Sequence, residues 1–305
     1  MNQRQKNIFS SFIFAAVISC SLLPALSPRV SALTMPSNGN ELLDDSGGAN
    51  AQAYIVINTE NGNVLMNKNS TEVWPPASLT KLVTALVVMD TKPKLSKVIS
   101  MSDADQTIGY CNAGGGCIKS KPGIKFTVND LFYATLLPSA NNAAVALARS
   151  TGMTPAQFAI KMNAKVKALG ATNSIFHEPT GMDATNQITA ADYAKIIQAT
   201  YANTYLKKVA QTQIYTIKSL TNKKYTQTVK NSDKLLSTSS IKMLGAKTGY
   251  INESQYNFAS LLKYENGPTL AVVVLGEPHL YTAFSDTQRL AGLAGAAIAI
   301  SKPLN

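Results

Sequence analysis

Two periodicities divide the chain. In "AYIVINTENGNVLMNKN" strand-like runs flank Asn61-Gly62, the signature of a hairpin. From residue 78 to about 90 the spacing becomes helical, with Leu79, Leu82, Val83, Leu86 and Val87 on one face. Thr127 with Asp130 three residues on caps a second helix, which Pro138 ends, and a short helix follows over 142–149. Thr154, Pro155 and Gly170 punctuate a fourth, and residues 190–201 form a fifth. The pattern then returns to strands: "QIYTIKS", "KYTQTVK", "KMLGAKTGYI", "YNFASLLKY" and "TLAVVVLGE", the last two joined by Glu265-Asn266-Gly267. A helix over 283–300 closes the chain. Two strands, a block of helices, three or more strands and a last helix predict an α+β domain. Its antiparallel sheet combines strands from both ends of the chain, with helices on its faces and a helical subdomain.

One residue breaks this pattern. Lys81 lies within the apolar arc of the 78–90 helix, where an unpartnered ammonium is costly to bury. Ser78 stands three residues earlier and so shares its face. A serine hydroxyl is a weak nucleophile until a base takes its proton, and a lysine depressed by burial can be that base. At the start of a helix, outward N–H groups and the macrodipole also favour developing negative charge. A Ser-x-x-Lys match alone is weak, since Ser78 is also an ordinary capping residue and Lys81 could snorkel to solvent.

Composition narrows the setting. The 305 residues are 45% apolar and 15% charged, an ordinary globular balance that excludes disorder and coiled coil. Residues 1–33 differ: Arg4 and Lys6 precede the apolar run "IFSSFIFAAVIS", and Val30-Ser31-Ala32 suits a cleavage site, so an export signal is expected. Val17-Ile18-Ser19-Cys20 also fits a lipoprotein signal ending before Cys20, and an uncleaved anchor is a further reading. Any membrane attachment is therefore expected only through the N-terminus. Residues 34–50 read as a flexible leader and 51–305 as the folded domain. The first 33 residues hold three of the 28 basic and none of the 17 acidic residues, so the remainder carries a formal +8. Such a surface suits an anionic polymer, and export points to cell-wall or membrane-surface material in place of nucleic acid. In "CNAGGGC", Cys111 and Cys117 are placed either to close a small disulfide loop or to remain thiols. With only His177 and His279 in the chain, and neither near these cysteines, zinc is not expected.

Two more stretches raise the weight of Ser78-x-x-Lys81. Ser139-Ala140-Asn141 falls in a turn between helices, and Lys247-Thr248-Gly249 on a strand, where Gly249 lets a ligand backbone approach. In this order the three motifs are those of penicillin-binding proteins and class A β-lactamases. Over about residues 51–295 the chain resembles the low-molecular-mass penicillin-binding proteins, the serine D-alanyl-D-alanine carboxypeptidases and endopeptidases of bacterial cell walls. The likeness extends to "KMNAKVKALGATNSIFHEPTGM" and "GAKTGYINESQYNFASLL". It implies that Ser78 is acylated, with Lys81 as base and Ser139 relaying a proton to the leaving amine. By the same resemblance Asn141 holds an amide carbonyl, Lys247 and Thr248 bind the terminal carboxylate, and the N–H groups of Ser78 and Tyr250 form the oxyanion hole. Lys247 is expected to keep its charge and so help hold Lys81 neutral. Peptidoglycan peptides are the implied partners, β-lactams the implied covalent inhibitors, and no metal or other cofactor is needed.

The nearest rival, a β-lactamase, would carry Glu-x-x-Leu-Asn between the second and third motifs, and no such stretch occurs. Glu178 is followed by Pro-Thr-Gly-Met, and it and His177 read as residues that shape a loop. A carboxypeptidase is the leading expectation. "KMNAKVKALG", "HEPTGM" and the end at Asn305 resemble endopeptidase-type members, and a non-catalytic β-lactam sensor is the reading from another class.

Overall fold

The computed structural model describes residues 48–111, 116–237, 241–264 and 267–301. These belong to a single compact unit, Met35–Asn305. The export segment, the leader up to residue 47, residues 112–115 of the cysteine loop and the expected turn at 265–266 lie outside the described residues.

Strands β1 (Ala53–Asn58), β2 (Val64–Lys68), β7 (Ile241–Ile251), β8 (Gln255–Tyr264) and β9 (Thr269–Glu277) form one antiparallel sheet in the order β2-β1-β9-β8-β7. N- and C-terminal strands therefore meet at its centre, where β1 pairs with β9. Alternation along β9 explains its unbroken apolar run. Leu270, Val272 and Val274 join the core under the last helix, α8 (Leu280–Ser301), with Tyr54, Val56, Phe258 and Phe284. Ala271, Val273 and Leu275 join the larger core on the opposite face.

That larger core belongs to α1 (Thr80–Asp90), α3 (Val128–Leu136), α4 (Asn141–Arg149), α5 (Pro155–Ala168) and α6 (Ala190–Ala202). Helix α1 is buried on every side from Thr80 to Val88, which is why Lys81 has no route to water. The caps expected at Thr127 and Thr154 are present, and both form capping boxes, with Asp130 and Gln157.

Four differences from the sequence reading are instructive. Helix α1 starts at Thr80, and Ser78 sits in a 3-10 turn, Ala77–Leu79, just ahead of it. Two short helices, α2 (Asp103–Ile108) and α7 (Thr204–Ala210), span only six and seven residues, too few for an apolar period to declare itself. Strands β3 (Val98–Ser100) and β4 (Lys125–Thr127) pair in a ladder of three residues each. Strands β5 (Ile214–Ile217) and β6 (Gln227–Lys230) do not extend the main sheet. They form a separate hairpin, and only Ile217 and Val229 are buried in it.

Candidate active site

Pro75 and Pro76 lead the chain into the turn that carries Ser78, and Ala77 there adopts a left-handed φ of 49°. A non-glycine residue in that conformation costs roughly 1–2 kcal/mol, so its surroundings must hold it. Several do. The Trp74 indole N–H donates to the Ser254 carbonyl at 3.0 Å, and the buried Asn257 amide donates to the Pro75 carbonyl at 2.9 Å. The same Asn257 accepts from the Gly276 N–H at 3.0 Å, so one side chain ties the turn to the central strand β9. Two glycines complete the clamp. A Cβ on Gly249 would stand 2.9 Å from the Pro76 carbonyl oxygen and 3.2 Å from the Ser78 nitrogen, and one on Gly181 only 1.7 Å from the Ala77 oxygen.

Lys81 Nζ lies 2.7 Å from Ser78 Oγ and donates to the Thr180 carbonyl at 2.6 Å. Burial lowers its pKa to about 7, opposed only in part by the charge of Glu178. As a neutral amine it keeps a lone pair for the Ser78 hydroxyl while one N–H serves Thr180. Glu178 is the organiser of this loop. Its carboxylate accepts from the Thr180 N–H and hydroxyl at 2.6 Å each, from the Asn186 amide at 3.0 Å, and from the Gly181 N–H. With four donors on it, Glu178 shapes the loop and has no free edge with which to activate a water.

Ser139 follows Pro138 in the connection between α3 and α4, with φ of 65°. Its Oγ accepts from Lys247 Nζ at 2.8 Å, and Lys247 also donates to the Thr248 carbonyl at 2.9 Å. Thr248 Oγ1 is 2.8 Å from Ser232 Oγ. An open cleft of about 550 Å³ runs between these elements, lined by Ser78, Ser139, Asn141, Thr248, Gly249 and Tyr250 among others. Lys81 and Lys247 lie beneath its floor, 0% and 1% exposed. Tyr250 stacks at a tilt on Tyr256, with ring centroids 4.4 Å apart, and both line the cleft.

Three separate stretches of sequence thus converge on one cleft. Packing adds to one electrostatic expectation. Lys247 is expected to depress Lys81 by its charge, and Lys247 is itself pushed well below the usual lysine value, first by burial and then by the charge of Lys81. Its described partners are the neutral Ser139 hydroxyl and Thr248 carbonyl, which offset that desolvation with no opposite charge. Burial is the first cause of the low value of Lys81.

Cys111 and Cys117 are joined in a disulfide. The adjoining Gly116 lines the cleft, and its carbonyl accepts from the Asn141 N–H at 2.7 Å, so the cysteine loop is moored to the second motif. Sequence reasoning missed Thr180, Ser232 and Asn257. Ser232 and Asn257 belong to no motif, and Thr180 acts through its backbone, so only the fold could reveal them. Gly181, within "HEPTGM", carried a faint signal as a glycine in a turn.

A serine hydroxyl held against a buried lysine amine, on a sheet-and-helix scaffold, is a geometry that suits a serine peptidase. Comparison with known proteins agrees: residues 43–279 match the D-alanyl-D-alanine carboxypeptidase family, and the chain belongs to it. It is 29% identical over 90% of its length to a D-alanyl-D-alanine endopeptidase of Pseudomonas aeruginosa, covering 86% of that protein. It is 32% identical to the D-alanyl-D-alanine carboxypeptidase DacF of Bacillus subtilis, over 73% of this chain and 57% of that one. Among solved structures, a Streptomyces DD-transpeptidase superposes with a TM-score of 0.74 at 27% identity, covering 81% of this chain and 98% of that one. A D-alanyl-D-alanine carboxypeptidase from Mycobacterium tuberculosis gives 0.70 at 29%, covering 81% and 92%. The protein is therefore a serine-type DD-peptidase.

Proposed function

We propose that the chain is a D-alanyl-D-alanine carboxypeptidase that trims peptidoglycan stem peptides through an acyl-enzyme on Ser78. The observation that carries this reading is the 2.7 Å contact between Ser78 Oγ and Lys81, whose full burial lowers its pKa to about 7. Lys81 takes the hydroxyl proton as Ser78 Oγ bonds to the carbonyl carbon of the penultimate D-alanine. The N–H groups of Ser78 and Tyr250 receive the oxyanion. The C–N bond then breaks, and the departing D-alanine amine takes up the proton through Ser139. Water cleaves the ester, returning the proton to Ser78. Asn141 holds the peptide amide, while Lys247, Thr248 and Ser232 receive the terminal carboxylate, whose charge favours the protonated form of Lys247.

A β-lactam would acylate the same serine and remain bound, because Glu178, the carboxylate of the loop beside Lys81, is held by four donors and is not free to activate a water. Export, through the signal in residues 1–33 or a lipidated Cys20, would place the 51–305 domain in the periplasm or at the envelope, with 34–50 as leader. Among the described residues no helix is long and apolar enough to cross a membrane.

The endopeptidase reading is the alternative. It is favoured by the endopeptidase of Pseudomonas aeruginosa, which this chain matches over nearly its whole length. Purified enzyme given a stem pentapeptide and, separately, crosslinked sacculi decides between them. D-alanine released only from the pentapeptide supports the carboxypeptidase; crosslinked dimers cut to monomers support the endopeptidase. Failure of Ser78→Ala to abolish both activities and labelling by a fluorescent penicillin would remove the mechanism itself.

A further inference from the structure

The basic excess of the chain is concentrated beside the cleft. Two segments far apart in sequence are stitched together there. The Lys119 N–H donates to Gln227 Oε1 and the Gln227 amide donates back to the Lys119 carbonyl, both at 2.9 Å. The Lys125 N–H donates to Thr221 Oγ1 at 3.0 Å, and the Leu220 N–H to the Lys125 carbonyl at 2.9 Å. This joins residues 116–127 to the β5–β6 hairpin and brings Lys119, Lys121 and Lys125 alongside Lys223, Lys224 and Lys230, all six exposed. Residues 116–127 contain no acid, and residues 213–234 contain only Asp233, which is buried. Asp130, which accepts from the Tyr215 hydroxyl on the hairpin, is buried too. Among the described residues, none of the six lysines has a salt-bridge partner.

Both segments run directly to the cleft wall. Gly116, three residues before Lys119, lines the cleft, and so does Ser232, two residues after Lys230. We propose that this lysine platform is a docking surface for the polymeric wall, engaging the carboxylates of stem peptides neighbouring the one in the cleft. The proposal rests on the DD-peptidase reading for the identity of the polymer. Its charge argument is independent of catalysis: like charges crowded without counter-ions favour a polyanion, and a rigid chain bearing carboxylates at intervals supplies one. Solubility alone would be served equally by lysines scattered with acids between them. The arrangement makes the enzyme prefer stems on intact strands to free peptides, through affinity and encounter rate and not through the chemical step.

The test uses the full mature chain with Ser78→Ala, so that binding is read without turnover. Sedimentation with sacculi stripped of attached phosphate polymers, from about 0.02 to 0.5 M salt, measures affinity across a wide range of screening. The quadruple change Lys119→Gln, Lys121→Gln, Lys223→Gln, Lys224→Gln is expected to weaken binding at least about tenfold at low salt, and the difference should vanish at high salt. Removing as many charges elsewhere, at Lys92, Lys94, Lys161 and Lys167, should leave most of the binding. In the Ser78 protein, the platform variant should keep its rate of penicillin labelling and its turnover of free pentapeptide. Equal losses from both quadruple variants, or salt-insensitive binding by the parent, would overturn the platform. Binding found only to sacculi that retain phosphate polymers, or only to anionic vesicles, would overturn its assignment to peptidoglycan. Penicillin labelling that fails in the Ser78 protein would instead count against the active-site reading, whatever the sedimentation shows.

Discussion

Gly181→Ala tests whether the loop after Glu178 and the Ser78 turn form one mechanical unit. Gly181 has φ of 83°, and an added Cβ would lie 1.7 Å from the Ala77 oxygen, 2.3 Å from its carbonyl carbon and 2.8 Å from Thr80 Oγ1. Backbone atoms cannot rotate away as a side chain can, so the loop and the turn must part by about 1 Å or more to restore contact distance. If the turn moves, Ser78 leaves its place; if the loop moves, Thr180 withdraws the carbonyl that holds Lys81. A misplacement of about 1 Å can cost about 100-fold in rate. The left-handed backbone adds a stability cost of about 1–2 kcal/mol for the alanine. Gly152→Ala is the matched control, because Gly152 has φ of 82° with nothing within 4 Å of the added carbon. Stopped-flow acylation by a fluorescent penicillin, with thermal unfolding on the same samples, separates strain from displacement. Both variants should lose a few degrees of Tm or more, and only Gly181→Ala should lose acylation rate. A folded Gly181→Ala acylated within about threefold of the parent rate would refute this reasoning.

The acylation rate should rise about tenfold per pH unit up to about 7 and level off above it, as Lys81 becomes the free base, and Lys81→Arg should abolish it. For stability the sign follows from the same value. Between about 7 and the ordinary 10.5 the unfolded chain holds a proton that the folded one lacks, so the contribution of Lys81 to stability rises with pH across that window, as denaturant titrations would show. Asn257→Ala leaves the Pro75 carbonyl and the Gly276 N–H without their partner and should cost roughly 2–4 kcal/mol and slow acylation. Asn163→Ala, which removes comparable bonds to Ala159 and Phe176, should destabilise without touching the acylation rate. Reducing the Cys111–Cys117 bridge should lower stability by about 2 kcal/mol, measured by thermal unfolding with and without dithiothreitol. Nitrocefin should label the protein without steady turnover, and turnover at several per second would show that a deacylating base exists.

Local sequence was enough to determine a good deal. Period and punctuation marked the long helices and the main strands, since those signals depend on near neighbours. Three short motifs named most of the residues that converge on the cleft, because nucleophile, base and anion holder are constrained in residue type whatever the distance between them. The anomaly of Lys81 was also legible: a lysine in an apolar arc has few explanations. What the sequence could not determine were relations between distant segments. Pairing of β1 with β9, the mooring of Asn141 by Gly116 and the bridge from Pro75 through Asn257 to Gly276 each join residues far apart in sequence, the nearest of them 19 positions apart. The same holds for charge. Sequence reading expects the charge of Lys247 to depress Lys81, whereas burial supplied by the fold is the first cause that lowers both lysines. A pKa depends on the dielectric and the partners around a group, and those exist only once the chain has packed.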